Sequence, residues 1–281
     1  MSVALERLGL EPGTAAATPA VPAARALLLH PWVLGLLLPV TVAAVWELAA
    51  RMGWIEARLL PPPSRVAETL TELWRSGDLL GHLTATLWRV AAGFALGLAA
   101  ATLLGALTGF STRARQILDP TLQALRSIPS IAWVPLFILW FGIFEASKVA
   151  LIAVGAFFPV YLSLMTGIHG VDRKLVEVGR VYQFGPWALI RRILIPAALP
   201  AWLTGVRGGL GLAWMFVIAA ELMGASEGLG YLLLDGQMVG NAAQILGALV
   251  LFAILGKLTD SLVVLLTRHL VRWQDGFAPQ E

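Results

Sequence analysis

Five ionisable residues stand inside stretches of sequence that are otherwise continuously apolar: Arg126, Arg207, Glu221, Lys257 and Asp260. Each needs a physical reason, because a charged side chain at the centre of a bilayer costs about 2.5–3.5 kcal/mol on insertion scales. Lys257 and Asp260 are three residues apart and can pair on one helical face. Glu221 falls near the end of its apolar run, where water could reach it. Arg126 and Arg207 both sit toward the same end of their runs. Two guanidiniums facing a common path would favour an anionic solute. Hydrogen bonds to helix carbonyls or to phosphate head groups are the other reading open to them.

Other chemistries lack their residues. The chain has no cysteine, which excludes disulfide, iron–sulfur and thiol chemistry. His30, His82, His169 and His269 are far apart and show no metal-ligand spacing. Gly256-Lys257 is followed by Leu258 and preceded by no glycine-rich loop, so an ATP-binding P-loop is absent. Gly208-Gly209-Leu210-Gly211 lies within an apolar run rather than at a strand–helix turn, and reads as packing. With no Ser/His or metal constellation, an enzyme working inside the membrane is not expected.

One charged island interrupts the apolar sequence, "LVEVGRVYQFGPWALIRRILIPAALP", residues 175–200. Asp172 can cap a first helix. Leu175, Val178 and Tyr182 then share a face, with Glu177 and Arg180 turned elsewhere. Gly185-Pro186 breaks the chain, and Pro186 suits the first turn of a second helix. Trp187, Ile190 and Leu194 line that helix's apolar side, beside Arg191 and Arg192. Pro196 and Pro200 are expected to end it and re-aim the chain. The island reads as a helical hairpin, either resting on lipid heads or serving as a docking knob.

The elements that must position these residues follow from composition. The chain is 58% hydrophobic and 13% charged, whereas soluble domains carry about a quarter charged residues. Charge-poor runs of roughly the ~20 residues that cross a bilayer as helix occur at 26–46, 90–112, 127–144, 149–171, near 198–220 and near 244–266. The expected fold is all-α, a polytopic bundle of about six transmembrane helices over residues 26–268. An Ala/Pro/Thr-rich tail, 1–25, reads as disordered, and a second tail covers 269–281. The run beginning at Ala26 is too long for the core of a signal peptide.

Six crossings place both ends on one side. With the ends in the cytoplasm, that side holds 11 Lys and Arg, the other side holds six, including Arg89 and Lys148, and three lie within spans. The bias favours cytoplasmic termini. Trp32, Trp54, Trp88 and Trp140 fall at span ends, where indole prefers the head-group zone, while Trp133 and Trp214 lie deeper and are expected to pack between helices. The second run carries Gly93, Gly97, Ala101, Gly105 and Gly109 at four-residue spacing, a stripe of small residues that admits another helix closely. Its partner can be a helix of the same chain or of a second copy. Gly205, Gly209 and Ala213 form a shorter stripe.

Glu177-Val178-Gly179-Arg180, leading to Ile195-Pro196-Ala197-Ala198-Leu199-Pro200, resembles the EAA loop of ABC importer permeases. Further matches are "LRSIPSIAWVPLFILWFGI" (125–143), "TGVRGGLGLAWMFVIAAE" (204–221), "GLGYLLLDG" (228–236) and "LGKLTD" (255–260). Together they are similar to the aliphatic sulfonate, nitrate and taurine branch, over residues 60–270. The resemblance implies that segment 169–196 is a cytoplasmic coupling hairpin, with Glu177, Gly179, Arg180, Tyr182, Gly185 and Pro186 engaging a separate ATPase. The family's usual turn glycine falls on Gln183, and Gly185 comes two residues later.

The resemblance further implies a multi-pass protein of the bacterial inner membrane that is not itself an enzyme. Its partners would be a second permease copy, a cytoplasmic ATPase dimer holding ATP and Mg, an external solute-binding protein and membrane lipid, with no nucleic acid. The chain itself is expected to hold no cofactor. Arg126, Arg207 and Glu221 are its candidates for lining a path for a small anionic solute. An ion-coupled secondary transporter acting without an ATPase is the rival, although the repeated halves of such proteins are not visible.

Overall fold

The computed structural model describes residues 31–271, and every regular element among them is helical. The expected tail 1–25, the start of the first run and the end of the 269–281 tail lie outside the described residues. The chain divides into two units, 1–55 and 56–281. In the first, α1 spans Pro31–Arg51 among the described residues, and carries a Glu47–Arg51 ion pair one turn apart at 2.7 Å.

The second unit is built around one helix, α6 (Glu145–His169), with α3 (Asp78–Phe110) and α8 (Pro186–Leu222) against it. Small residues explain the closeness. A Cβ on Gly93 would lie 2.6 Å from Ile152 Cβ, one on Gly105 3.2 Å from the Tyr161 carbonyl oxygen, and one on Gly109 2.5 Å from Ile168 Cδ1. The contact thus climbs both helices together, and the small-residue stripe packs within the chain. From the other side a Cβ on Gly205 would lie 2.6 Å from Ser163 Cβ, and one on Gly209 2.9 Å from the Ala156 carbonyl oxygen. There the order reverses, so α8 runs antiparallel to α6.

Two expectations change. The run 127–144 is not one straight helix: α4 (Thr112–Ser127) and the 3₁₀ turn Ser130–Trp133 lead to α5 (Val134–Phe141), with a 90° bend between the halves. Pro129 lies in the bend, and Ile128 before it is extended (φ −75°, ψ 122°), as expected for a residue that precedes proline. The bent pair still travels the length of α6, since Asp119 of α4 accepts a hydrogen bond from Tyr161 at 3.0 Å and Val134 of α5 packs in the cluster of Leu151.

The second change is that Pro196 and Pro200 do not end a helix. α8 runs unbroken from Pro186 to Leu222, 37 residues, about 55 Å at 1.5 Å per residue. A π turn at Ile190–Leu194 lies immediately before Pro196, and its last bond joins the Ile195 amide to the Ile190 carbonyl. Widening the helix by one residue at that point moves the ladder past a residue that has no N–H to give.

α2 (Pro63–Ser76) is an amphipathic helix in the expected outer loop, burying Val66 and Thr69. α7 (Arg173–Val181) precedes α8, and α9 (Leu229–Val239) and α10 (Ala242–Thr267) complete the unit. Among the described residues four helices are long and apolar enough to cross a membrane, or five if the bent pair counts as one span. Trp214 packs as expected, buried, with its indole N–H donated to Thr259 Oγ1 at 2.8 Å. Trp133 stacks on Phe137 at 5.9 Å.

Candidate functional site

Three places hold the residues singled out by the sequence. At the end of the bundle where α7 lies, a two-helix knob projects. At the far end, the start of α3, the start of α6 and the end of α8 meet. Between them an arginine of α8 faces α10.

The far end is a closed polar knot centred on Arg89, whose residue is 4% exposed. Its Nε and Nη2 donate to the two carboxylate oxygens of Glu145, at 2.7 and 2.8 Å. Its Nη1 donates to Glu221 Oε1 at 2.8 Å and to the Glu227 carbonyl at 2.6 Å. Glu221, with no exposure at all, also accepts from Thr86 Oγ1 at 2.8 Å and from the Gly230 amide at 2.7 Å. Lys148 donates to Glu145 at 3.2 Å, so two cations and two carboxylates balance. A buried charge is tolerated when it is both paired and hydrogen-bonded, and here both conditions hold.

The segment "GLG", 228–230, explains how the knot closes. The Gly228 amide donates to His82 Nδ1, the Leu229 amide to Thr86 Oγ1, and the Gly230 amide to Glu221. These are orphan amides of the first turn of α9, which need partners outside the helix. Gly228 has φ +121°, a conformation L residues rarely adopt, and a Cβ there would run into the Glu221 carboxyl and Arg89 Nη1. Water does not reach Glu221, contrary to the sequence expectation, because α8 ends inside this knot. Nothing local in the sequence pairs Arg89 with Glu221. The available signal was an isolated acid and an isolated base at corresponding ends of two apolar runs.

Nearer the knob, Arg207 of α8 donates Nε and Nη2 to Asp260 of α10, at 2.8 and 3.0 Å. Asp260 is therefore bonded to Arg207 rather than paired with Lys257, as expected from spacing. The planar guanidinium meets both carboxylate oxygens at once, which a lysine ammonium cannot do. Lys257 is exposed and still acts on Asp260 through its charge. The Arg207 and Asp260 side chains are 52% and 27% exposed. Arg207 lines a recess of about 730 Å³ between α6, α8 and α10, together with Thr204, Thr267 and Arg268. Arg126 is not among the lining residues; its Nη1 bonds Gln123 within α4 at 3.4 Å.

The knob is compact. Asp172 caps α7 by accepting from the Lys174 amide at 2.9 Å. At the other end the Phe184 amide reaches the Gly179 carbonyl and the Gln183 amide the Arg180 carbonyl, at 3.0 and 2.9 Å. That pair of bonds is a Schellman closure, which places its C′ residue in the left-handed region. The residue there is Gln183, with φ 57°, the position where the family's turn glycine is expected. Gly185 has an ordinary φ of −66°. Gly179 is buried, and a Cβ on it would lie 2.6 Å from Ile193 Cδ1 of α8, so it lets the two helices close. The apolar residues Leu175, Val178, Val181, Tyr182 and Trp187 all remain exposed, as do Glu177, Arg180 and Pro186. Glu177 bonds Arg173 one turn away at 3.1 Å.

The described residues form a helical bundle with four helices, or five, long and apolar enough to cross a membrane. Residues 93–275 match the family described as the binding-protein-dependent transport system inner membrane component. The chain is 46% identical to the aliphatic sulfonates transport permease protein SsuC of Bacillus subtilis (strain 168), over 88% of this chain and 89% of that one. It is 39% identical to the SsuC of Escherichia coli (strain K12), over 89% and 94%. Its fold is similar to a chain of the MetNI methionine ABC transporter in an inward facing conformation, with TM-score 0.61 and 22% identity, over 70% of this chain and 98% of that one. The chain belongs to the binding-protein-dependent inner-membrane permease family: it is a multi-pass transport subunit of the ABC class, not an enzyme and not a self-sufficient secondary transporter.

Proposed function

We propose that this chain forms, with a second copy, the membrane path of an ATP-driven importer for a small sulfonate. In this reading ATP and Mg bind a separate pair of ATPase subunits that dock on the knob, and an external binding protein delivers solute at the far end. The two SsuC relatives support the substrate class by their names. Crossings by α3, the bent α4–α5 pair, α6, α8 and α10 suit it. The excess of Lys and Arg on the side of the termini favours cytoplasmic termini.

The observation that carries the proposal is the continuity of α8. One helix begins in the knob at Pro186 and ends at the far-end knot at Leu222. In this reading displacement of the knob by an ATPase is carried along one continuous helix to the opposite face, the kind of packed element that transport gating needs. The exposed apolar face of Val178, Val181, Tyr182 and Trp187, flanked by Glu177 and Arg180, is suited to a partner's cleft and has no cover among the described residues.

Binding of the cognate ATPase to membrane vesicles tests this. The ATPase is expected to bind inverted vesicles and not right-side-out ones. Glu177→Arg should weaken recovery without changing the melting temperature, since an exposed i,i+4 pair is worth about 0.3–0.5 kcal/mol. Wild-type recovery and uptake with Glu177→Arg, or binding only to right-side-out vesicles, would overturn the coupling assignment.

A further inference from the structure

Arg207 offers half of its guanidinium. Asp260 occupies the side edge, Nε and Nη2, and the end edge carrying Nη1 has no hydrogen-bond partner among the described residues. Arg89 shows what that edge takes when filled. It too is held side-on by a carboxylate, and its Nη1 then binds an oxyanion, the Glu221 carboxylate, and a carbonyl. A guanidinium has five N–H donors and no acceptor, so the open edge of Arg207 can be met only by an acceptor.

The surroundings favour an anion. The recess that Arg207 lines also has Arg268 on its wall, and Lys257 lies one turn from Asp260 on α10. Asp260 neutralises one of these three cations. Thr204 and Thr267 donate their hydroxyl hydrogens to their own helix carbonyls, at 3.1 and 2.7 Å, so they add no competing charge. At about 730 Å³ the recess falls within the roughly 300–1,000 Å³ usual for ligand sites.

We propose that this recess is an oxyanion site, in which the open edge of Arg207 takes two oxygens of a sulfonate head group while Arg268 attracts it from the knob end. The proposal rests on the importer reading for its substrate class and assigns that class a place in the chain. A tetrahedral monoanion is the shared chemistry of a solute sulfonate and a phospholipid phosphate, and the site is assigned to the solute.

The test uses the purified full-length chain in lipid discs and ethanesulfonate as the probe, measured by equilibrium dialysis. Discs of phosphatidylcholine alone should give saturable binding. Arg207→Lys keeps the charge and removes the fork, and is expected to weaken binding about ten- to a hundredfold, the worth of a charge-assisted bidentate contact. Arg268→Gln should weaken it less while the melting temperature is unchanged, because Arg268 has only a long 3.4 Å contact with His269. Full binding by both variants overturns the site, as does binding of phosphatidylglycerol without any of ethanesulfonate. Failure here with ATP-dependent uptake intact would remove the site and leave the importer standing. Loss of uptake in cells lacking the chain, set beside ATPase capture, tests the importer separately.

Discussion

Arg89 and Arg207 each present the same edge to a carboxylate, and they differ in what meets the other edge. Around Arg89 four elements converge and no edge is left over; its Glu221 partner is fully buried, while the Glu145 side chain is 54% exposed. Around Arg207 two helices meet beside an open recess, and half the guanidinium is unspent. One chemical pair is thus a buried fastening at one depth and the wall of an open recess at another. The difference is desolvation. The enclosed Arg89–Glu221 pair must be complete, because a missing bond there is not replaced by water. A pair beside an open recess of about 730 Å³ can leave donors open at little cost, because water can enter and meet them.

The largest expected effect lies in the closed knot. Glu221→Gln leaves Arg89 with a buried charge only partly balanced, and should lower stability by about 3–5 kcal/mol. Asp260→Asn, at the half-exposed pair, should cost no more than about 1 kcal/mol. Thermal unfolding of the full chain in detergent reads both, and equal losses would erase the distinction between the two sites.

Gly228→Ala probes the same knot through its backbone. The left-handed φ and the Glu221 carboxyl in the path of a Cβ lead to an expected loss of about 1–3 kcal/mol. The corresponding change at Gly211, where a Cβ meets nothing within 4 Å, should be neutral or stabilising. If both glycines tolerate alanine, the knot is looser than its geometry.

The smallest effect is at the knob. Gln183 holds a left-handed conformation that costs an L residue about 1–2 kcal/mol. Gln183→Gly should relieve part of this, about 0.5–1 kcal/mol after glycine's greater freedom in the unfolded chain. Amide exchange at Phe184, whose N–H closes the turn onto Gly179, is the local readout and should slow. Unchanged or faster exchange would mean that the turn is not under strain.

Some of these features were legible in the sequence. The small-residue stripe of α3 could be read because helical periodicity alone aligns Gly93, Gly97, Ala101, Gly105 and Gly109. Asp172 as a cap and Gly185-Pro186 as a helix start were legible for the same local reason. Lys257–Asp260 was misread because spacing ranks neighbours on one helix and is silent about a guanidinium on another. Pro196 was misread because the rule that proline breaks helices omits the π turn just before it, and Pro200 sits inside the continuing helix with no such turn beside it.

By itself the sequence determined that this chain is a polytopic helical membrane protein with a charged knob, because apolar run length, charge placement and the spacing of small residues act within a turn or a span. Only the tertiary structure decided where the ionisable residues find partners. Arg89 and Glu221 are 132 residues apart, and Arg207 and Asp260 are 53 apart. A charge buried in apolar surroundings must find a counter-charge somewhere, but which one depends on the order in which helices pack about α6. That order is set by the small residues that let α3 and α8 approach it, and by the bend that carries α4 and α5 along its length.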